Sequence, residues 1–323
     1  MRTRFTELVG CEAPIQVAPM AGITTPELAE AAVKAGAHAM IGAAGMTASE
    51  VAGILEETDK KSLNAFGINF LIPFLEPEPL ELAASRAPLI DFYMGEPDKS
   101  LVELVHARGA LAAWQVCTCD EALAAVEAGC DVIIAHGLEA GGRNPSQVGL
   151  FPLLAQVLDA VDVPVVAAGG IGTARGVAAA LAAGADGVRL GTRFVAATES
   201  GAHPRYVKAL IAADTGDTVI TDAFSVMWPS GPLSHRVLRA ALEAAEAFEG
   251  EFVGEAVAGS EAVPLPRFLV SPPTKSVTGA IEAMALYAGE SVGAVKSTQP
   301  AGDIVRELMD GAEELLCKAA ALS

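Results

Sequence analysis

Residues 165–192 read VVAAGGIGTARGVAAALAAGADGVRLGT. The stretch opens on four apolar residues, Val165–Ala168, and turns through Gly169-Gly170-Ile171-Gly172. It continues through the Ala-rich segment Ala174–Ala183, turns again at Gly184-Ala185-Asp186 and closes on a second short run, Gly187–Leu190. Four-residue runs have the length of strands, and the segment between them has the composition and period of a helix. The runs are continuously apolar rather than alternating, which predicts strands buried on both faces, as in a parallel sheet.

The same unit recurs outward from this stretch. Further strand candidates are Ile15–Ala18, Ala39–Ile41, Ala65–Phe70, Leu89–Tyr93, Leu111–Val116 and Val132–Ala135, with helical patterns between them such as Pro26–Ala35 and Asp120–Ala128. One signature repeats where a helix gives way to a strand: Ala35-Gly36-Ala37-His38, Arg108-Gly109-Ala110, Ala128-Gly129-Cys130-Asp131 and Ala183-Gly184-Ala185-Asp186. Glycine just past a helix takes the left-handed cap and lets the chain turn. Eight such strands joined by crossovers fit an α/β fold of the (β/α)8 TIM-barrel type, with a doubly wound sheet as the competing arrangement.

The last third differs. Trp228–Pro232 is a turn cluster, followed by a helical run over Leu233–Glu249, a Pro-rich loop over Val263–Pro273, and helical stretches near Gly279–Tyr287 and Ala301–Ala320. The expected organisation is a barrel over residues 1–227 and a C-terminal helical extension over 228–323, packed on the barrel mouth.

Composition narrows the function. Hydrophobic residues make up 52% of the 323, enough for a sizeable core, so bulk disorder is excluded. With 21 Lys and Arg against 40 Asp and Glu the net charge is −19, which argues against nucleic acid and anionic membrane surfaces as partners. No apolar run approaches the ~18 residues a membrane span needs, and no apolar core follows the charged start of the chain. The five cysteines, Cys11, Cys117, Cys119, Cys130 and Cys317, have no zinc spacing and read as reduced thiols, so a cytoplasmic protein without a metal is expected.

In a barrel the working residues lie at the C-terminal ends of the strands, and a phosphate often sits after the seventh and eighth. This chain places glycines at both positions, Gly169-Gly170 and Gly191-Thr192. Glycines also make plain turns, but two such loops at the two expected places favour an anion held by backbone N–H groups. Gly170-x-Gly172 lacks the third glycine of a dinucleotide fingerprint. The sixth strand is followed by the densest polar cluster, His136-Gly137-Leu138-Glu139-Ala140-Gly141-Gly142-Arg143-Asn144, the mark of a site more than of a solvated loop. Asn69 and Gln115 put amides where apolar core is expected; each could be a satisfied buried amide, and together at one mouth they could bond a heterocycle. His38 and His106 read as structural, and His203 and His235 fall in turn-like segments as weak candidates. The absence of H-E-x-x-H, G-x-S-x-G and P-loop motifs removes zinc peptidases, serine hydrolases and P-loop NTPases.

At these residues the sequence resembles the nitronate monooxygenase family, formerly 2-nitropropane dioxygenases, which are FMN enzymes on a TIM barrel. The resemblance rests on residues 14–22 (PIQVAPMAG), Phe66-Gly67-Ile68-Asn69, Gly137–Gly142, Ala167–Ile171, Leu190-Gly191-Thr192-Arg193-Phe194 and Ala288-Gly289-Glu290-Ser291-Val292-Gly293. Flavin-dependent enoyl-acyl-carrier-protein reductases and NADH:quinone reductases share these segments. The resemblance implies that Ala18, Pro19 and Met20 lie against the isoalloxazine, with Asn69 in contact with it, Gln115 close by and the Gly141 backbone lining the pocket. It places the phosphate on Gly169, Gly170, Gly191 and Thr192, with Leu190 as a further cofactor-binding position. Two departures stand out. Arg143 occupies the place of the family's catalytic His, and arginine stays protonated and cannot act as a base. His136 and Arg189 replace two glutamines at flavin-contacting positions.

The function expected from this reading is an FMN-dependent oxidoreductase that oxidises nitronates, with Arg143 and His136 as the candidate catalytic residues. An NAD(P)H-dependent reductase of a quinone or an enoyl thioester is the alternative, and a non-catalytic flavin-binding protein is the second alternative. The expected partners are a small-molecule substrate, anionic if Arg143 binds it, NAD(P)H as candidate reductant, and a second copy of the chain.

Overall fold

The computed structural model describes residues 1–258 and 261–321. Its centre is a closed barrel of eight parallel strands, made by β1 (Ile15–Val17), β2 (His38–Gly42), β3 (Phe66–Leu71), β4 (Leu89–Tyr93), β5 (Leu111–Val116), β6 (Val132–His136), β8 (Val165–Ala168) and β9 (Gly187–Leu190). β9 returns to pair with β1, with Gln16 opposite Arg189, and so closes the ring. All eight strand candidates are therefore strands of one barrel. The glycines of the four joints, Gly36, Gly109, Gly129 and Gly184, all have positive φ, as the left-handed turn requires.

Alternation within each strand sorts the barrel into two layers. Outward residues such as Ile41, Ile68, Phe92, Trp114, Ala167 and Leu190 belong to one apolar cluster beneath the surrounding helices. Inward residues low in the barrel, Met40, Leu89, Ala113, Ile134 and Val166, pack with Phe5 and Val9. Those two side chains come from the short helix α1 (Arg4–Val9), which plugs the bottom end.

The helical ring is formed by α2 (Pro26–Lys34), α3 (Ala48–Lys60), α4 (Pro77–Ala84), α5 (Lys99–Ala107), α6 (Cys119–Ala128), α7 (Leu150–Ala160) and α8 (Ala174–Ala182). Its last member comes from the chain's far end. The helix α12 (Ala301–Ala320) packs against α8 and α2 and fills the place after β9. This helix lies where it was expected in sequence, but on the outside of the barrel rather than over the mouth. No described helix is long and apolar enough to cross a membrane.

Between β9 and α12 the chain builds a second apolar cluster. It starts with α9 (Thr192–Val195), α10 (Pro204–Ala212) and β10 (Thr218–Thr221). Three expectations change here. The run Leu233–Glu249 is a strand, β11 (His235–Leu238), followed by α11 (Arg239–Ala247), because His235–Leu238 pairs with β10 on one side and with the two-residue strand β7 (Gly142–Arg143) on the other. His235 therefore lies in a strand, and His203 caps α10. The start of the Pro-rich loop belongs to β13 (Glu261–Pro266), the edge of a sheet ordered β13, β12 (Phe252–Ala258), β14 (Val277–Gly279). At an edge, Pro264 and Pro266 need not interrupt the ladder. The helix near Gly279–Tyr287 shrinks to one 3₁₀ turn, Ile281–Ala283, because Leu286 and Tyr287 are drawn alongside β11. β10 and β11 pair across residue 227, so the sheet runs through the expected division there.

High in the barrel the inward positions are polar. Arg189 Nε donates to Gln16 Oε1 at 2.7 Å, and its Nη1 donates to Asp91 Oδ2 at 2.9 Å and Gln115 Oε1 at 2.7 Å. Asn69 Nδ2 donates to the same Asp91 oxygen at 2.9 Å. Asp91 is fully buried and Arg189 nearly so. Breaking such a pair from one side leaves an uncompensated charge in the interior. Asp91→Ala is therefore expected to lower unfolding stability by about 3–5 kcal/mol in urea titrations. The double variant Asp91→Leu, Arg189→Met should lose far less than the two single changes combined. A midpoint for Asp91→Ala close to the wild type would contradict this.

Candidate active site

The open end of the barrel leads into a cavity of about 1130 Å³, counted out to its mouth. Nearly every residue singled out in the sequence lines it: Ala18, Pro19 and Met20 after β1, Asn69 on β3, Gln115 on β5, His136 on β6, then Gly141 and Arg143, Gly169 and Gly170, and Arg189, Gly191 and Thr192. Leu190 does not, because it is an outward residue of β9 and packs under the helices. The inward and outward alternation of Arg189, Leu190 and Gly191 already carried that distinction.

Two glycine loops form one wall. Gly169 and Gly170 have φ of 111° and 67°, conformations that side-chain-bearing residues rarely adopt. A Cβ at Gly170 would stand 3.0 Å from Glu139 Cβ. The backbone N–H groups of Gly170, Gly191 and Thr192 donate to no protein acceptor among the described residues. Unpaired N–H groups beside a cavity without intruding side chains suit phosphate oxygens. At Gly141 a Cβ would lie 2.4 Å from the Gly289 nitrogen, so this loop and the segment after Leu286 touch backbone to backbone.

His136 and Arg143 differ in what they can do. His136 Nδ1 is 3.4 Å from Tyr93 Oη, and burial together with the Arg189 charge pushes its pKa down to about 3. It is a neutral imidazole with little basicity. Arg143 is half-buried, with its guanidinium carbon 5.1 Å from the centre of the Trp228 ring. Burial lowers its pKa, and a guanidinium still keeps its proton. Its Nε is covered and has no acceptor, and no carboxylate lies within ion-pair distance among the described residues. The side chain is thus a cation that stacks on Trp228 and has no carboxylate or hydrogen-bond acceptor among the described residues, at the edge of the cavity. Its backbone is fixed: Tyr93 Oη donates to Arg143 O at 3.1 Å, and β7 pairs Arg143 with His235.

Sequence reasoning missed Tyr93 and Tyr287, which also line the cavity. Tyr93 ends a strand candidate on the inward alternation, so a signal existed. Tyr287 arrives through its bridge to Val237 on β11, which no local pattern announces. His203 lies outside the cavity, and so does the buried His235, which stacks on Tyr287.

A parallel eight-stranded barrel with paired glycine loops at its seventh and eighth strand ends is the architecture of a phosphate-anchored cofactor or substrate site. Comparison with known proteins makes this specific. The family model described as nitronate monooxygenase matches residues 79–311, and the chain belongs to that family of flavin-dependent oxidoreductases. The chain is 27% identical to a "Probable nitronate monooxygenase" of Staphylococcus aureus strain Newman, with 98% of each chain covered. Among solved structures it is similar to a point mutant of FabK from Thermotoga maritima, at a TM-score of 0.82 and 30% identity over all of both chains. It is also similar to a nitroalkane oxidase from Streptomyces ansochromogenes, at a TM-score of 0.78 and 28% identity over 99% of this chain and all of the other.

Three buried histidines give the protein a defined acid sensitivity. Burial pushes His38 and His136 down to about 3 and His235 to about 4. The unfolded chain, with histidines near the ordinary value of about 6.5, takes up these protons first. Their contribution to stability is therefore whole above about pH 6.5 and declines as pH falls toward 3–4. Urea titrations at pH 7 and pH 5 should show a loss of roughly 1 kcal/mol per pH unit per histidine. His38→Asn should reduce the pH slope, and a slope identical to wild type would contradict the assignment.

Proposed function

We propose that the chain is an FMN-dependent oxidoreductase that oxidises preformed nitronates with O2. The observation that carries this reading is Arg143: a cation without a carboxylate partner where the family has a base, in a cavity whose one histidine among the described residues is neutral and nearly non-basic. A neutral nitroalkane must first lose a carbon-bound proton, and that step needs a base within hydrogen-bond reach. A nitronate is already an anion, and a planar guanidinium fork matches its two oxygens.

The residues present fit a mononucleotide flavin. The glycine loops leave unpaired N–H groups and a wall that a Cβ at Gly170 would crowd, and no dinucleotide fingerprint follows them. FMN, when bound, supplies the electron-transfer chemistry. The chain supplies the rest. Gly169, Gly170, Gly191 and Thr192 hold the phosphate; Ala18, Pro19, Met20, Asn69, Gln115 and Gly141 flank the ring. Arg189, ion-paired with Asp91, lies in the floor with its Nη2 donating to no acceptor among the described residues. Arg143 binds and orients the substrate anion, and Tyr93 keeps its backbone in place. A second reading, an NAD(P)H-driven reductase of an enoyl thioester or a quinone, draws support from the similarity to the FabK structure.

The purified protein should be yellow, and denaturation should release FMN, identified by mass and chromatography. Gly170→Val should be recovered folded but largely colourless. Released FAD, or full flavin content in Gly170→Val, would contradict the proposal. In turnover, propyl nitronate should be consumed while freshly dissolved neutral nitropropane is not, compared before the two forms re-equilibrate. Arg143→Ala should raise KM for the nitronate about tenfold or more, the worth of a charge-assisted hydrogen bond, with flavin content unchanged. Equal use of both forms, or an unchanged KM, would count against it.

A further inference from the structure

Tyr93 and His136 meet across the inside of the barrel. Tyr93 ends β4, two residues after the inward Asp91, and His136 ends β6, with β5 between the two strands. Their ring centres lie 5.5 Å apart. The buried Tyr93 hydroxyl touches three groups: Arg143 O at 3.1 Å, His136 Nδ1 at 3.4 Å and Cys117 Sγ at 3.8 Å. A phenol has one hydrogen to give and two lone pairs to fill.

One of the three neighbours can only receive. Arg143 O is a carbonyl oxygen, and β11 does not supply its donor. Asn144 N donates to Ser234 O, so Arg143 and His235, one step along this antiparallel ladder, are a pair that exchanges no hydrogen bonds. The Tyr93 hydrogen therefore goes to Arg143 O.

The remaining neighbours have hydrogens to offer. Burial pushes the Cys117 thiol up to about 12, so it stays protonated at neutral pH. Gln115 stands beside Tyr93 with its oxygen already held by Arg189, which leaves its amide only N–H groups to offer. His136 is neutral and carries one ring hydrogen. A bare Nδ1 would set its lone pair against those of the Tyr93 oxygen; a protonated Nδ1 makes a hydrogen bond of the same contact. The hydroxyl is then satisfied throughout, donating to Arg143 O and accepting from Cys117 and His136. Nε2 is left as the bare nitrogen. It bonds nothing among the described residues and is not fully covered, and His136 lines the cavity, so the Nε2 lone pair opens there.

We propose that Tyr93 is a positioning residue that fixes His136 in its Nδ1–H form, so that Nε2 accepts a hydrogen bond from the imide N–H of the bound flavin ring. This rests on the FMN reading of the cavity. The oxidised isoalloxazine has one N–H, at N3, and its other polar atoms are acceptors. An Nε2–H imidazole would instead turn a donor toward those acceptors.

The test reads the tautomer directly. Holoprotein labelled with ¹⁵N in its five histidines is studied by NMR at pH 7, and His136 is assigned by the signals that vanish in His136→Gln. In the wild type Nδ1 should carry the hydrogen and Nε2 should be bare. With 3-methyl-FMN bound, no flavin N–H competes for Nε2; the wild type should then keep the hydrogen on Nδ1, and Tyr93→Phe should move it to Nε2. The wild type should bind FMN about tenfold more tightly than 3-methyl-FMN, the range of a single hydrogen bond, and His136→Leu should lose most of that preference. A bare Nδ1 in the wild type would overturn the proposal without recourse to any variant. A Tyr93→Phe protein that keeps its hydrogen on Nδ1 would overturn the role of Tyr93, and a preference for FMN that survives in His136→Leu would overturn the contact with the ring. Should the protein take up neither flavin, the FMN reading fails and the ring contact with it, while the wild-type tautomer still decides whether Tyr93 sets His136.

Discussion

One guanidinium sits at the centre of this molecule. Arg189 on β9 bonds Gln16 on β1, Asp91 on β4 and Gln115 on β5, and Asn69 on β3 meets it at the shared Asp91 oxygen. Five of the eight barrel strands are therefore tied through one side chain, at the height where a barrel interior ordinarily carries branched apolar residues. Taking an ion pair out of water is costly, and the attraction regained at close range offsets that cost only when the remaining donors and acceptors are met. Here two atoms of the pair have no hydrogen-bond partner among the described residues, Arg189 Nη2 and Asp91 Oδ1. The cation also governs its neighbours, since its charge adds to burial in holding His38 and His136 neutral. The ion pair adds no net charge to the floor of the cavity, and burial together with the nearby guanidinium keeps the imidazole above it from titrating near neutrality.

That constraint explains why Arg143 matters. With His136 depressed to about 3, no other histidine lines the cavity among the described residues, so none there is poised to act as a base near neutral pH. FabK of Thermotoga maritima and a nitroalkane oxidase, two differently named proteins, both resemble this chain over 99% or more of its length, so the fold alone does not choose the reaction. The choice falls to side chains at the mouth. Tyr93 spans the two roles, touching His136 with its hydroxyl and holding the Arg143 carbonyl, so it links the silent imidazole to the half-buried cation.

The barrel was legible in the sequence because its signal is local and repeated. Runs such as Val165–Ala168 and Gly187–Leu190 carry their own length and continuous apolarity, and Gly184 marks the turn between them. The glycine loops were legible for the same reason. The inserted segment was not, because its strands exist through pairing at a distance. His235–Leu238 runs straight into Arg239–Ala247, and only contact with β10 and β7 separates strand from helix. Likewise α12 could be read from its period, while its place between α8 and α2 could not. Leu190 shows what a finer local reading offers, since strand alternation alone puts it outside the cavity.

On the proposed reading, this site takes electrons from an anion bound at Arg143 and does not serve as an entry point for NAD(P)H. Anaerobic stopped-flow mixing of the purified holoprotein with propyl nitronate, and separately with NADH and with NADPH, tests it most directly through the flavin absorbance. The expected result is a rapid, saturable change with the nitronate and none with either nucleotide. Fast bleaching by NADH or NADPH, with the nitronate inert, would contradict it.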